Sequence, residues 1–164
     1  MAFDYGTQQS EALRASPIRR IGSDRFSVYK ANKMLNGSAL QLDFNKEKKS
    51  VFLEMSKQLA EQKFDWENKL VFKLGEVDIA KILLVLEGKK PGVDIFHDPS
   101  KAKEGSEARN NTLNVSKGNY GFFFKLSQQK LDGSVVSISC NVSEEEALLA
   151  GILLRKAIES SYGW

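Results

Sequence analysis

The chain has 164 residues, of which 41% are hydrophobic and 27% charged, enough for a compact domain with its own core. Its formal net charge is only +3, so any phosphate binding must come from local clusters of cations. One cysteine and one histidine cannot build a zinc site or an internal disulfide, and no apolar stretch is long enough to cross a bilayer. We therefore expect no metal, no cofactor and no membrane contact.

The first 24 residues are polar and irregular, and they predict a flexible N-terminal arm ahead of a single domain over residues 25–164. This segment lacks the apolar core of a secretory signal, and its acids argue against a transit peptide. We expect an intracellular location: the cytoplasm, the nucleoid or an organelle matrix.

Period-two alternation of apolar and polar residues predicts antiparallel strands with one buried face. It occurs at residues 39–44, 51–56, 69–74, 120–127 and 136–142. Residues 101–109 carry mixed charges, and they predict a mobile surface loop.

Two apolar stretches predict helices. The first runs over Glu76–Leu86 and stops at Gly88, and the second runs from about Glu144 to Ser160 behind a Ser143/Glu146 capping box. Each helix follows a group of strands, so the chain divides into two copies of one unit, residues 25–88 and 92–160. This order predicts an α+β fold.

Both helices are apolar on more sides than a single sheet can cover. The apolar surface that the sheet leaves uncovered is buried by the other helix, by a second subunit, or by both. We favour both, which predicts a homo-oligomer with the helices at its centre. The alternative is a monomer in which the two helices bury each other.

Residues suited to chemistry have simpler structural explanations. No phosphate-binding glycine loop or nucleophile elbow is present. The three acids at 144–146 suit a helix N-terminus. Asp94, His97 and Asp98 could hold a metal weakly, but a strand end with a turn explains them better. Cys140 fits a small buried hydrophobe. We expect that the chain is not an enzyme.

The polar strand faces instead combine lysines with aromatic residues, the pattern that holds single-stranded nucleic acid by phosphate contacts and base stacking. Strand parity places Phe72, Phe122 and Phe124 in the core. It places Phe52 and Phe123 opposite the core, where they would contact bases or a partner subunit.

Several segments, taken in order, carry a resemblance to a known family. They are Val28-Tyr29-Lys30, Phe64-Asp65-Trp66 with Val71-Phe72, Phe96-His97-Asp98-Pro99, Phe122-Phe123-Phe124-Lys125-Leu126-Ser127 and Gly163-Trp164. The chain resembles the Whirly proteins, plant single-stranded DNA-binding proteins whose superfamily includes the kinetoplastid mitochondrial RNA-binding proteins. In one departure, Lys30-Ala31-Asn32-Lys33-Met34-Leu35 stands where the family has Lys-Gly-Lys-Ala-Ala-Leu, a segment that contributes to DNA binding and to larger assemblies.

This resemblance implies two antiparallel four-stranded sheets packed roughly perpendicular, each followed by a helix, and a homotetramer with helices at its core. It implies binding of single-stranded DNA along the sheets with little sequence preference, in DNA maintenance, recombination or transcription. Together with the residue pattern it identifies eight candidate contacts: Tyr29, Lys30, Lys33, Phe52, Trp66, Lys69, Phe123 and Lys125.

Two alternatives stay open. The same fold could bind or anneal RNA, because stacking and phosphate contacts do not distinguish the sugars. The sheets could also bind protein, which would make the chain a transcription cofactor or an assembly scaffold.

Overall fold

The structure is a computed structural model that describes residues 25–98 and 108–164; the predicted N-terminal arm lies outside these residues. The first unit forms an antiparallel sheet in the order β1–β2–β3–β5, and the two-residue β4 pairs with the far end of β3. Its elements are β1 (Arg25–Lys30), β2 (Ser38–Asn45), β3 (Ser50–Ala60), β4 (Lys63–Phe64), a 3-10 turn (Trp66–Asn68), β5 (Leu70–Leu74) and helix α1 (Glu76–Leu86).

The second unit forms a four-stranded antiparallel meander in sequence order, followed by the second helix. Its elements are β6 (Gly92–His97), β7 (Ala108–Lys117), β8 (Gly121–Lys130), β9 (Val135–Ser143) and helix α2 (Glu144–Tyr162). The predicted α+β architecture of two antiparallel sheets, each followed by a helix, is therefore confirmed.

The strand predictions hold, with two local corrections. The charge pattern predicts residues 108 and 109 in a loop, but they open β7. The alternation of β8 predicts Tyr120 inside the strand, but Tyr120 precedes the strand and is 92% exposed. It lies in the turn that joins β7 to β8, where the Gly118 amide donates to the Gly121 carbonyl at 2.7 Å.

The core lies between the inward faces of the two sheets. In the first sheet one inward-facing row crosses four neighbouring strands. It consists of Phe26, Leu42, Leu53 and Phe72, each in register with the next. In the second sheet the inward rows include Leu113, Val115, Phe122, Phe124, Leu126, Ile138 and Cys140, all buried. The predicted core positions Phe72, Phe122 and Phe124 are thus confirmed.

Strand β9 joins the two sheets, since it packs against β1, β2 and β3. The Ser38 hydroxyl donates to the Ser139 carbonyl at 2.6 Å across this junction. The edge of the second sheet therefore meets the first sheet near the start of β2.

The helix ends follow the capping predictions. The Ser143 hydroxyl accepts from the Glu146 amide at 3.2 Å, and the Glu146 carboxylate accepts from the Ser143 amide at 3.3 Å. At α1, the Asp78 carboxylate accepts from the Gly75 amide at 3.0 Å. Gly163 ends α2 with a φ of +75°, a left-handed conformation that glycine adopts without a steric penalty.

The two helices bury part of their surplus apolar surface against each other. A Cβ at Gly151 of α2 would stand 3.9 Å from Leu83 and 4.0 Å from Leu86, an ordinary van der Waals separation, so the two helices pack side by side at this position. The side of α2 that faces the protein is lined by small residues, namely Ala147, Ala150 and Ala157, together with Leu154.

The opposite side of α2 stays exposed. It carries four large apolar side chains, which we call the α2 apolar face: Leu148, Leu149, Ile152 and Leu153. Neither helix in the described part of the chain is long and apolar enough to cross a membrane.

Candidate nucleic-acid interface

The outward face of the second sheet is polar and nearly uncharged, with an aromatic ring at its centre. Phe123 on β8 is 46% exposed, and its register partners are Ser116 on β7 and Asn141 on β9. Two residues further along β8, Lys125 lies exposed between Asn114 and Ser139. Because alternate residues of a strand share a face, Phe123 and Lys125 project from the same side of the sheet.

The outward face of the first sheet carries a second ring and cation. Phe52 is half-buried, and the Lys48 Nζ stands 5.6 Å from its ring centroid. On either side in register are Asp43 on β2 and Lys73 on β5. This face is less open than the alternation predicts, because three of its polar residues are buried: Gln41, Glu54 and Ser56.

Two candidate phosphate contacts already have carboxylate partners. The Lys69 Nζ lies 3.0 Å from the Glu54 Oε1, and the Lys30 Nζ lies 2.6 Å from the Glu146 Oε1. Among the described residues, Lys33 and Lys125 form no ion pair. Lys125 and Lys33 can therefore contact a phosphate directly. Lys30 and Lys69 must first break their ion pairs with Glu146 and Glu54.

Tyr29 and Trp66 lie near one end of the first sheet. The half-exposed Tyr29 ring has its centroid 5.5 Å from that of Phe64, and its hydroxyl accepts from the Gln41 amide at 3.4 Å. Trp66 begins the 3-10 turn and is half-buried, and the Asp65 side chain caps that turn by accepting from the Asn68 amide.

Lys33 lies on the loop between β1 and β2, which is held by the Gln58 side chain and by the Asn32 side chain, whose Oδ1 accepts from the Asn36 amide at 3.2 Å. The Gln58 Oε1 accepts from the backbone amides of Asn32 and Gly37, both at 3.0 Å. The Gln58 Nε2 donates to the carbonyls of Asn32 and Ala60. A Cβ at Gly37 would lie 2.0 Å from the Lys30 carbonyl oxygen, so only glycine fits there.

The eight candidates do not form one compact site. Lys30 and Phe123 border a groove of about 460 Å³ at the β7–β8 turn. Lys33 borders a groove of about 570 Å³ beside its own loop, and Lys69 a cleft of about 580 Å³ between the open ends of the sheets. Phe52 and Tyr29 belong to the outward face of the first sheet.

The structure adds two exposed aromatic residues to the candidates. Phe96 projects from the outward face of β6, in register with Thr112, and Tyr120 stands at the β7–β8 turn. The alternation around Ile95 could have revealed Phe96, because its neighbour Ile95 is buried. The sequence indicates Tyr120 as an aromatic residue near a strand end, and its full exposure in the turn makes it a candidate.

The residues weighed as a weak metal site are engaged elsewhere. The His97 Nε2 lies 3.0 Å from the Asp78 Oδ2, and its ring stacks on Phe72 at 4.3 Å between centroids. Asp94 accepts from the Asn114 amide at 2.8 Å. Within residues 25–98 and 108–164 there is no group of three acidic, His or Cys side chains arranged for a metal.

Cys140 is buried in the inward face of β9, as the sequence predicts. Burial raises the pKa of its thiol, because the charged thiolate loses its hydration there. The thiol is therefore part of the packing beneath the candidate interface rather than part of that interface.

Comparisons with known proteins agree with this fold. The family model described as Whirly transcription factor matches residues 28–151. The solved structure of WHY1 from Arabidopsis thaliana is similar at 23% identity and a TM-score of 0.70, over 85% of this chain and 91% of that one. The plant transcriptional regulator PBF-2 is similar at 23% identity and a TM-score of 0.68, over 85% and 82%.

A guide-RNA-binding protein complex, solved bound to a guide RNA, is also similar. Its identity is 18% and its TM-score 0.67, over 91% of this chain and 99% of that one. A search of curated protein sequences gave no match.

Proposed function

The chain belongs to the Whirly transcription factor family, and from this premise we propose that it is a single-stranded DNA-binding protein with little sequence specificity. The observation that carries the proposal is the exposed Phe123 ring at the centre of a polar sheet face, with Lys125 beside it on the same face. This strand face thus offers a stacking surface and a cation to one ligand.

The mechanism combines two weak interactions. Bases separate from their neighbours and stack on exposed rings, which contributes about 1–3 kcal/mol per base. Lysines contact the phosphates and release counterions, so affinity falls as salt rises. Because serines and asparagines dominate the outward face of the second sheet, stacking carries more of the affinity there than charge does.

We further propose that the protein is a homotetramer assembled through its helices. The α2 apolar face supports this, because four large apolar side chains on one helix remain exposed in the single chain. Burial of this face between subunits would leave both sheets outside, where a strand could reach them.

The proposed role lies in DNA maintenance, recombination or transcription inside the cell, by binding rather than catalysis. The disposition of the acids supports a non-enzymatic role. Asp78 and Glu146 cap helices, and Glu54 pairs with Lys69.

The proposal is tested by fluorescence anisotropy with a labelled oligonucleotide as single-stranded DNA, as RNA of the same sequence, and as duplex DNA. Phe123→Ala is expected to weaken single-stranded DNA binding about 5- to 150-fold, the equivalent of one stacked base. The matched control is Leu131→Ala, which removes an equally exposed apolar side chain from the β8–β9 turn.

A salt series separates the electrostatic part. Lys125→Ala is expected to reduce the slope of log affinity against log salt by about one unit, whereas Lys81→Ala, on exposed α1 surface, leaves it unchanged. If none of the three nucleic acids bound, the proposal would be wrong, and a protein-binding scaffold would replace it.

RNA binding is the second candidate, supported by the similarity to the complex solved with a guide RNA. Affinity for the RNA oligonucleotide equal to or higher than that for the DNA would favour it. A preference for DNA of tenfold or more would exclude it.

A further inference from the structure

The Lys30 side chain reaches from the first sheet to the start of the second helix. Lys30 is the last residue of β1, and its Nζ lies 2.6 Å from the Glu146 Oε1. Glu146 belongs to the first turn of α2, which follows β9 directly. Lys30 also borders the groove at the β7–β8 turn, together with the Phe123 ring. A cation in the same groove as a stacking ring is therefore already held by a carboxylate.

The Glu146 side chain makes two separate contacts. Its Oε1 accepts from the Lys30 ammonium, and its Oε2 accepts from the Ser143 amide at 3.3 Å. The contact with Ser143 belongs to the capping box of α2, which the Ser143 hydroxyl completes by accepting from the Glu146 amide. Because the capping box does not involve Lys30, the ammonium can leave Glu146 while the helix cap stays in place.

The pair between Lys30 and Glu146 is open to exchange. The two side chains are 37% and 30% exposed, so water screens their attraction and hydrates the carboxylate once the ammonium has left. Ion pairs of this kind contribute little to stability. A phosphate offers the ammonium the same kind of charged oxygen acceptor. A phosphate can therefore replace the carboxylate and leave the ammonium paired.

The pair between Lys69 and Glu54 is not exchangeable in this way. The Glu54 side chain is only 11% exposed, and Lys69 is its only partner in the described part of the chain. Release of Lys69 would leave a buried carboxylate without a partner, which is strongly destabilising. Of the two paired candidate lysines, Lys30 is the one that a nucleic acid can take over.

We infer that Glu146 is an internal competitor for the phosphates of a bound single strand. In the free protein it occupies the Lys30 ammonium, and in the complex a phosphate takes its place. The inference rests on the proposed function and adds a restraint on its affinity. Binding includes the breaking of the Lys30–Glu146 pair, and the released carboxylate then repels the strand. Because the competition is for the phosphate backbone, Glu146 lowers the affinity for every sequence alike.

The test is a double-mutant cycle between Lys30 and Glu146, measured by fluorescence anisotropy with a labelled single-stranded thymine oligonucleotide. Glu146→Gln removes the competing charge and keeps the helix cap, because glutamine at this position of a capping box also accepts from the Ser143 amide. It is expected to raise the affinity for the oligonucleotide.

Part of this rise is general, because a carboxylate near the strand repels it whether or not Lys30 is present. That part is measured by making the same Glu146→Gln substitution in the Lys30→Ala background. The rise in affinity is expected to be about 2- to 5-fold larger when Lys30 is present, the equivalent of one half-exposed ion pair.

The control is Glu144→Gln, which removes an equal charge from the same helical turn. Glu144 forms no ion pair within residues 25–98 and 108–164. Its substitution changes the affinity equally with and without Lys30. If Glu146→Gln behaves like this control while the wild type binds, Glu146 does not compete for Lys30, and the proposed function stands. If neither the wild type nor the Glu146→Gln variant binds, both fail.

Discussion

Polar substitution of the α2 apolar face is expected to dissociate the assembled protein. Leu148 and Ile152 lie one helical turn apart and are 66% and 55% exposed. Their exposed surfaces together equal a little more than that of one fully exposed apolar side chain. Burial of a leucine or isoleucine contributes about 1.5–3 kcal/mol, so replacing both by glutamine removes about 2–4 kcal/mol of association free energy per chain. Subunit dissociation constants then rise roughly 30- to 700-fold.

The assay is sedimentation velocity over a concentration series. The wild type is expected to sediment as a tetramer, and the Leu148→Gln/Ile152→Gln variant as smaller species at micromolar concentration. Glutamine keeps high helix propensity, and both positions are exposed in the single chain, so the thermal midpoint of the dissociated subunit changes little. The control Leu131→Gln alters an exposed apolar residue in a turn remote from the helices. A variant that remains tetrameric, or a monomeric wild type, would refute the assignment of the interface to α2.

Three further outcomes are expected. Gly118→Ala displaces the Phe123 ring, because the new Cβ would lie 2.4 Å from that ring, and it weakens single-stranded DNA binding in anisotropy titrations. The control is Gly133→Ala, at a glycine with φ +86° and no other atom within 4 Å of the new Cβ. It lowers the stability of the fold but leaves the affinity for DNA unchanged. The Cys140 thiol, whose pKa is raised by burial, reacts with a thiol-specific chromogenic disulfide at pH 8 only after unfolding in urea; prompt reaction of the native protein would contradict this. Phe72→Ala lowers the free energy of unfolding by about 3–5 kcal/mol in urea titrations, because the ring is fully buried and stacks on His97.

Much of the fold is predictable from local chemistry. The bounds of α1 and the Ser143/Glu146 capping box were obtained from sequence because the signals lie within a few residues of each other. Strand β7 is harder to detect from sequence: its outward positions are the polar residues Asn110, Thr112, Asn114 and Ser116, and Leu113 and Val115 are the only large apolar residues on its inward face. A strand with so few apolar positions gives a weak alternation.

The candidate site was harder to predict for a different reason. The sequence places lysines on polar faces, but their partners lie far along the chain. Lys30 and Glu146 are separated by 116 residues and meet only because β9, which leads into α2, packs against β1. Likewise, the alternation along β3 predicts that Glu54 is exposed. In the folded sheet Glu54 is buried and forms an ion pair with Lys69.

The Gln58 clamp on the β1–β2 loop has a consequence for how this loop can diverge. All four of its hydrogen bonds go to backbone atoms, so they do not depend on which side chains the loop carries. Residues 31–36 are all exposed, and exchanging their side chains leaves the Gln58 bonds in place, although a change at Asn32 removes its side-chain bond to the Asn36 amide. This accounts for a loop that reads Lys-Ala-Asn-Lys-Met-Leu where its family has Lys-Gly-Lys-Ala-Ala-Leu. Substitution there alters the chemistry presented to a ligand, whereas substitution of Gln58 or Gly37 would alter the scaffold that presents it.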